Sequence, residues 1–238
     1  MLPKWQTGIV QQVEQATPNT RRYWVQLPET PCFDFKPGQF VTLDLPISEQ
    51  RNKRWRSYSI SSAPDGGNVF ELVIVHLGNG VGSKYIYDEV KEGSELTLRG
   101  PQGVFTVPAV LDKELFLICT GTGIAPFRSM LHHINGEKTA HKNIHLIFGT
   151  RTRQDLLYAD EMRRLEQSME GFFYHPTLSR EQWQGHTGYV HPIYEQLCTD
   201  RQNAQFMLCG WRPMIDEAKE RILKMGYTSK DIEVEIYG

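Results

Sequence analysis

The chain has 238 residues, with 26 Lys and Arg against 28 Asp and Glu and a formal net charge of −2. That balance argues against nucleic acid or an anionic membrane surface as the main partner. No apolar run approaches the roughly 20 residues that span a bilayer. The opening Met1-Leu2-Pro3-Lys4-Trp5-Gln6 lacks the apolar core of a signal peptide, so a cytoplasmic, monomeric protein is expected. Cys32, Cys119, Cys198 and Cys209 form no C-x-x-C pair. No metal site is expected, and any iron–sulfur electron carrier must be a separate protein.

Residues 1–106 read as all-β. Tyr23, Val25 and Leu27 alternate with polar neighbours, as do Val41, Leu43 and Leu45. Further β-prone runs are Ser57–Ile60, Val69–Val75 and Glu95–Leu98, separated by Pro37-Gly38, Pro64-Asp65-Gly66-Gly67 and Glu92-Gly93. Short strands at this spacing predict a small closed barrel or sandwich. One helix is expected at Gly82–Glu89, capped by Ser83. On the Ser57–Ile60 strand, Arg56 and Tyr58 share one face, where a guanidinium and a flat ring suit a phosphate and a stacked ligand. A solvated edge strand with a half-buried tyrosine fits the same residues.

Val107–Lys113 reads as a linker, after which strands alternate with helices. Leu115–Cys119 is an apolar run leading into Gly121-Thr122-Gly123, and Ile124, Phe127, Met130, Leu131 and Ile134 follow at helical spacing. A strand, glycine turn and helix start can hold an anion on free backbone N–H groups. The turn lacks the third glycine of G-x-G-x-x-G, and no Gly-Lys-Ser/Thr follows, which excludes a P-loop. Pro126 suits the first helical turn. Ile144–Phe148, Phe172–Leu178, Phe206–Cys209 and Ile232–Ile236 read as further strands. Tyr158–Met169, Val190–Leu197 and Met214–Met225 carry helical stripes between them. Such alternation predicts a parallel sheet with helices on both faces and ligands at the strands' carboxyl ends.

The ordered set Arg56-Ser57-Tyr58-Ser59, Gly80-Val81-Gly82-Ser83, Gly100-Pro101-Gln102-Gly103-Val104-Phe105, Thr120-Gly121-Thr122-Gly123-Ile124-Ala125-Pro126 and Cys209-Gly210 resembles the ferredoxin–NADP reductase superfamily over nearly the whole chain. The resemblance implies an FAD-binding antiparallel barrel over 1–106 and an NAD(P)H-binding α/β domain over 107–238. It implies that Arg56 binds the flavin pyrophosphate, that Tyr58 packs on the isoalloxazine, and that Ser59 lies near flavin N5. Ser57, Val73, Ile74, Val75, Gly82, Ser83 and Thr122 complete the flavin set. Gly121, Thr122, Gly123 and Pro126 match the nicotinamide-nucleotide turn, with Cys209 and Gly210 beside the nicotinamide.

Leu178-Ser179-Arg180-Glu181-Gln182, followed by Gly188-Tyr189, resembles the segment with which NADPH-using members hold the 2′-phosphate. Ser179, Arg180 and Tyr189 are therefore expected at the nucleotide, helped by Arg151 or Arg153. The basic residue that some relatives place two positions before the tyrosine is Thr187 here. The strand end Phe148-Gly149-Thr150-Arg151 carries no acidic residue for a ribose diol, so NADPH is expected, with NADH the alternative. The closing Glu235-Ile236-Tyr237 matches the segment whose tyrosine covers the flavin in plant-type members, with Glu235 near a proton path; a half-buried tyrosine on a last strand is the other reading.

Ser59, Cys209 and Glu235 are the expected catalytic residues. The implied activity is hydride transfer from NADPH to FAD, then electron transfer to a ferredoxin or flavodoxin. That carrier would dock on the basic run Arg51, Lys53, Arg54 and Arg56, which otherwise reads as a solvated loop. A free-flavin reductase, the reductase component of an oxygenase and a nucleotide-binding regulator remain open.

Overall fold

The computed structural model describes residues 3–198 and 202–237; Gly238, which follows the proposed flavin-covering Tyr237, lies outside them. The chain divides into two compact units, one of residues 1–107 with 125–134 and one of 108–124 with 135–238.

The first unit opens with the long strand β1 (Gln6–Thr17), then β2 (Thr20–Gln26), β3 (Phe40–Asp44), β4 (Trp55–Ser59), β5 (Val69–Val75), helix α1 (Val81–Glu89) and β6 (Glu95–Gln102). These strands form one sheet in the order β4-β3-β6-β1-β2-β5, with every pairing antiparallel. An antiparallel bridge between Ile60 and Leu72 joins the two edges and closes the sheet into a barrel. Val10, Tyr23, Val25, Val41, Leu43, Leu72, Ile74 and Leu98 point inward and form its core. β1 gives a weak sequence signal because a register shift between Val10 and Gln12 breaks its alternation, and Gln11, Gln12, Glu14 and Gln15 are exposed. Ser83 does not cap α1. Gly80 stands at the N-cap, and the Ser83 hydroxyl, already inside the helix, donates to the Gly80 carbonyl at 3.1 Å and accepts from Leu77 N–H at 3.1 Å.

The second unit begins with β7 (Glu114–Thr120). Helix α2 (Ile124–Gly136) follows a 3-10 turn at Gly121–Gly123. Its residues 125–134 pack as part of the first unit. There the Arg128 guanidinium donates to the Ser61 carbonyl at 2.9 Å and to Glu71 at 3.1 Å, and the Ser129 hydroxyl donates to the Ser62 carbonyl at 2.6 Å. Glu71, 2 % exposed, also takes both arms of Arg22 at 2.8 and 3.0 Å. A carboxylate this deep persists because the two guanidinium groups replace its lost hydration.

The chain continues through β8 (Ile144–Thr150), α3 (Ala159–Ser168), β9 (Phe172–Leu178), β10 (His186–Thr187), α4 (His191–Leu197), β11 (Ala204–Trp211), α5 (Arg212–Lys224) and β12 (Ile232–Tyr237). The sheet is parallel throughout, in the order β10-β9-β8-β7-β11-β12. Phe116, Ile118, Ile147, Phe206 and Leu208 pack with α4 and α5 on one face. Strand alternation sends Leu117, Cys119, Leu146 and Tyr174 to the other, where Glu166 of α3 accepts from Tyr174 N–H at 2.8 Å. β10, two exposed residues long, is too short and polar for a sequence pattern to mark. Among the described residues no helix is long and apolar enough to cross a membrane.

His145 lies between the rings of Phe116 and Phe173, with centroids 4.9 and 5.0 Å away, and its Nδ1 is 3.1 Å from His175 Nε2. Burial holds both imidazoles below the ordinary value, His175 at about 4 against 6.5, with the neighbouring His145 and His186 adding to the shift. The folded state therefore binds fewer protons than the unfolded chain between these values. The histidine contribution to stability is present above pH 6.5 and is lost as the pH falls toward 4. We expect the unfolding midpoint to drop over that interval, and His175→Gln to flatten the drop. Equal slopes in the variant and the parent would contradict the assignment.

Candidate functional site

In the first unit the edge strand β4 aligns Arg56 with Leu43 and Tyr58 with Val41. Tyr58 packs against the barrel core, and burial raises its hydroxyl pKa. The Arg56 guanidinium donates to the backbone carbonyls of Lys53 at 3.0 Å and Trp55 at 2.8 Å, and no carboxylate among the described residues pairs with it. A Cβ on Gly82 would meet Arg56 Cγ and Nε at 2.9 Å, so the glycine lets the start of α1 lie against the arginine stem. Arg56, Gly82 and Ser83 thus come together at a helix start with a cation that lacks a counter-charge. This combination fits the pyrophosphate of a bound dinucleotide.

Ser59, at the end of β4, is 4 % exposed. Ser57 is exposed, with its hydroxyl 3.1 Å from that of Thr42. On β5, Val73 and Ile74 are buried and Val75 half-buried.

In the second unit the turn at Gly121–Gly123 follows an extended Thr120, with Gly121 at φ +55°. Gly123 has no room for a side chain: a Cβ would stand 2.4 Å from the Cys209 carbonyl oxygen and 2.8 Å from its carbon. Gly210, at φ +134°, lies against Thr120, where a Cβ would stand 2.6 Å from the hydroxyl and 3.0 Å from the carbonyl oxygen; that hydroxyl accepts from Trp211 N–H at 3.3 Å. Turn and strand end are therefore one seat. Thr122 sits half-buried within it, and Pro126 is the third residue of α2.

Register places Cys209 between Cys119 on β7 and Glu235 on β12. Cys209 is fully buried. Burial, with the Glu235 carboxylate and Cys119, pushes its thiol well above the ordinary range, and a hydrogen bond from the Tyr237 hydroxyl opposes that rise. Burial therefore favours the neutral form of the Cys209 thiol. Strand pairing sets Cys209 directly beside Glu235, with Tyr237 two residues further along β12. Trp211, opposite Tyr237, is exposed.

At the ends of β8 and β9, Ser179 N–H donates to the Thr150 carbonyl at 2.9 Å and Arg180 N–H to the Arg151 carbonyl at 2.9 Å. The Ser179 hydroxyl also donates to Thr150, at 3.2 Å. Arg151, Arg153 and Arg180 are exposed, and their guanidinium groups have no partner among the described residues. Tyr189 presents its ring to solvent at 73 % exposure. The basic run is split. Arg54 is tied to Asp44 at 2.7 Å and Arg56 is turned to carbonyls, which leaves Arg51 and Lys53 as its exposed cations.

Residues 7–107 match the oxidoreductase FAD-binding domain family and residues 117–220 the oxidoreductase NAD-binding domain family. The chain is 32% identical over 235 residues to ferredoxin–NADP reductase B of Sorangium cellulosum, covering 94% of each. It is 34% identical over 188 residues to the anthranilate 1,2-dioxygenase electron transfer component of Acinetobacter baylyi, covering 78% of this chain but about half (53%) of that protein. A crystal structure of a ferredoxin NADP+ reductase from Neisseria gonorrhoeae with bound FAD and NADP superposes with a TM-score of 0.81 at 24% identity, covering 98% of each chain. The chain therefore belongs to the ferredoxin–NADP reductase superfamily. Within it, this is an oxidoreductase with FAD and a nicotinamide nucleotide as cofactors.

Because the atoms nearest the missing Gly123 side chain are backbone, Gly123→Ala cannot be absorbed by a rotamer change. We expect Gly123→Ala to cost about 1–3 kcal/mol, visible in the unfolding midpoint. Gly136→Ala, which meets nothing within 4 Å, serves as the neutral control. An unchanged midpoint for Gly123→Ala would contradict the close seat.

Proposed function

We propose that residues 1–106 bind FAD and residues 107–238 bind NADPH, and that the protein passes electrons from NADPH through the flavin to a separate carrier, a ferredoxin or flavodoxin. The observation that carries the reading is the seat of Gly123 on the Cys209 carbonyl, which joins a phosphate-binding turn to a buried thiol in one rigid piece. FAD, when bound, supplies the chemistry that side chains lack, taking up a hydride and releasing its electrons singly.

The chain's own residues hold and orient. The free N–H groups at Gly121–Gly123 bind the nucleotide pyrophosphate. Cys209, neutral and buried, offers a polarisable surface beside the nicotinamide, and Gly210 leaves room for the ring. Arg56 and the start of α1 hold the flavin pyrophosphate, Tyr58 and the β5 residues Val73–Val75 flank its ring system, and the Ser59 hydroxyl faces its reactive edge. Tyr237 covers the flavin until nicotinamide takes its place, and Glu235 stands on the proton path. The exposed Arg151 and Arg180, with Ser179, favour a nucleotide bearing a 2′-phosphate, and Tyr189 stacks on its adenine.

The carrier docks by charge on Arg51 and Lys53. A second reading, the reductase component of an oxygenase, draws support from relatives such as the Acinetobacter protein and the glycine betaine monooxygenase reductase subunit of Pseudomonas aeruginosa, 31% identical over 232 residues.

Anaerobic titration of the purified yellow protein with NADPH and with NADH in parallel tests both cofactor claims. Full reduction by NADPH at the lower concentration is expected. Equal response to NADH would contradict the nucleotide preference, and a colourless protein would contradict held FAD. Mixing the reduced protein with an acidic carrier should give rates that fall with salt; rates independent of ionic strength would contradict docking by Arg51 and Lys53.

A further inference from the structure

The two strand ends proposed to grip the 2′-phosphate are not loose loops. Past β8 and β9 the backbone ladder continues through Ser179 to Thr150 and Arg180 to Arg151, both at 2.9 Å. The next rung is made by a side chain: Glu181 Oε2 accepts from Arg153 N–H at 2.7 Å. That N–H lies in a 3-10 turn whose start is fixed by a capping box, with Thr152 N–H and hydroxyl donating to Asp155 at 3.1 and 2.7 Å.

The loop carrying Glu181 is closed at its base. Gly188 N–H donates to the Leu178 carbonyl at 2.8 Å, the Thr177 hydroxyl donates to the Gly188 carbonyl at 3.0 Å, and Trp183 Nε1 donates to the His186 carbonyl at 2.6 Å. Glu181 therefore extends the tie between the segment carrying Arg151 and Arg153 and the segment carrying Ser179 and Arg180 by one rung, past the point where the backbone ladder ends.

A carboxylate in a segment pair that carries three arginines is at first sight unfavourable for an anion site. Its position explains the choice. It is spent on a backbone N–H and ion-pairs with none of these arginines. We propose that Glu181 is a positioning residue for 2′-phosphate recognition: by holding the Arg153 amide it keeps Arg151, Arg153, Ser179 and Arg180 in one convergent set before the nucleotide arrives. The energetic logic is preorganisation, since loops held in place lose less freedom on binding. This inference rests on the NADPH reading above and assigns it a residue that does not itself touch the nucleotide.

Binding can be measured apart from turnover, with adenosine 2′,5′-bisphosphate and AMP as probes in calorimetry on the flavin-loaded protein. Glu181→Ala should weaken adenosine 2′,5′-bisphosphate by about 5- to 10-fold, as loss of one charge-assisted hydrogen bond implies, and leave AMP unchanged. Glu181→Gln, which keeps an acceptor oxygen, should stay within about 2-fold of the parent.

Unchanged or tighter bisphosphate binding by Glu181→Ala overturns the proposal, because the carboxylate would then be neutral or repulsive at the site. Equal losses in Glu181→Ala and Glu181→Gln overturn the acceptor role. A parent protein that binds both probes equally overturns the NADPH reading and this inference with it. A parent that prefers the bisphosphate alongside an indifferent Glu181→Ala overturns this inference alone.

Discussion

The second unit depends on a contact where no side chain exists. Gly123 lies so close to the Cys209 carbonyl that any Cβ would overlap backbone at 2.4 Å, and a Cβ on Gly210, on the other strand, would stand 2.6 Å from the Thr120 hydroxyl. Two parallel strands, β7 and β11, end side by side in register, and the turn from one rests on the end of the other. A nucleotide turn held in this way has its N–H groups set before any ligand arrives, so little ordering remains to be done on binding. The same register carries Cys209 beside Glu235, so the thiol proposed beside the nicotinamide and the carboxylate proposed on the proton path are placed by strand pairing, not by flexible loops.

Charge is used in two distinct ways. Glu71 is buried and satisfied by Arg22 and Arg128, and through Arg128 and Ser129 the middle of α2 is fastened to the barrel strands. These arginines are structural, their charge matched within the fold. Arg56, Arg151, Arg153 and Arg180 are the opposite case: none has a carboxylate partner among the described residues, and each lies where the proposed function expects a phosphate. A guanidinium left without a counter-charge near a helix start or a strand end is a standing preference for an anionic ligand.

Much of this was legible in sequence. The buried strands of the second unit announce themselves as unbroken apolar runs, because both faces of a parallel sheet are covered. The glycines of the turn and the Cys209-Gly210 pair are visible because close backbone approach leaves glycine as the residue that fits. Other features were hidden for physical reasons. β1 carries glutamines on an exposed, bulged ribbon and loses its alternation there. Ser83 looked like a helix cap, but capping depends on where the first helical turn begins, and that lies three residues earlier, at Gly80. Four basic residues read as one patch, yet Asp44, a neighbour only through the β3–β4 pairing, removes Arg54 from it. Glu181 was quoted within its motif but given no role, since its partner is a backbone amide 28 residues away in sequence.

The central claim is that a hydride passes from nucleotide to flavin within this chain, with side chains that position and do not react. Rapid mixing of the oxidised, flavin-loaded protein with NADPH, and with NADPH carrying deuterium at the transferred position, tests it directly. The account predicts that the visible flavin band bleaches in the first turnover, and more slowly with the deuterated nucleotide. Consumption of NADPH while the flavin band stays oxidised would contradict it.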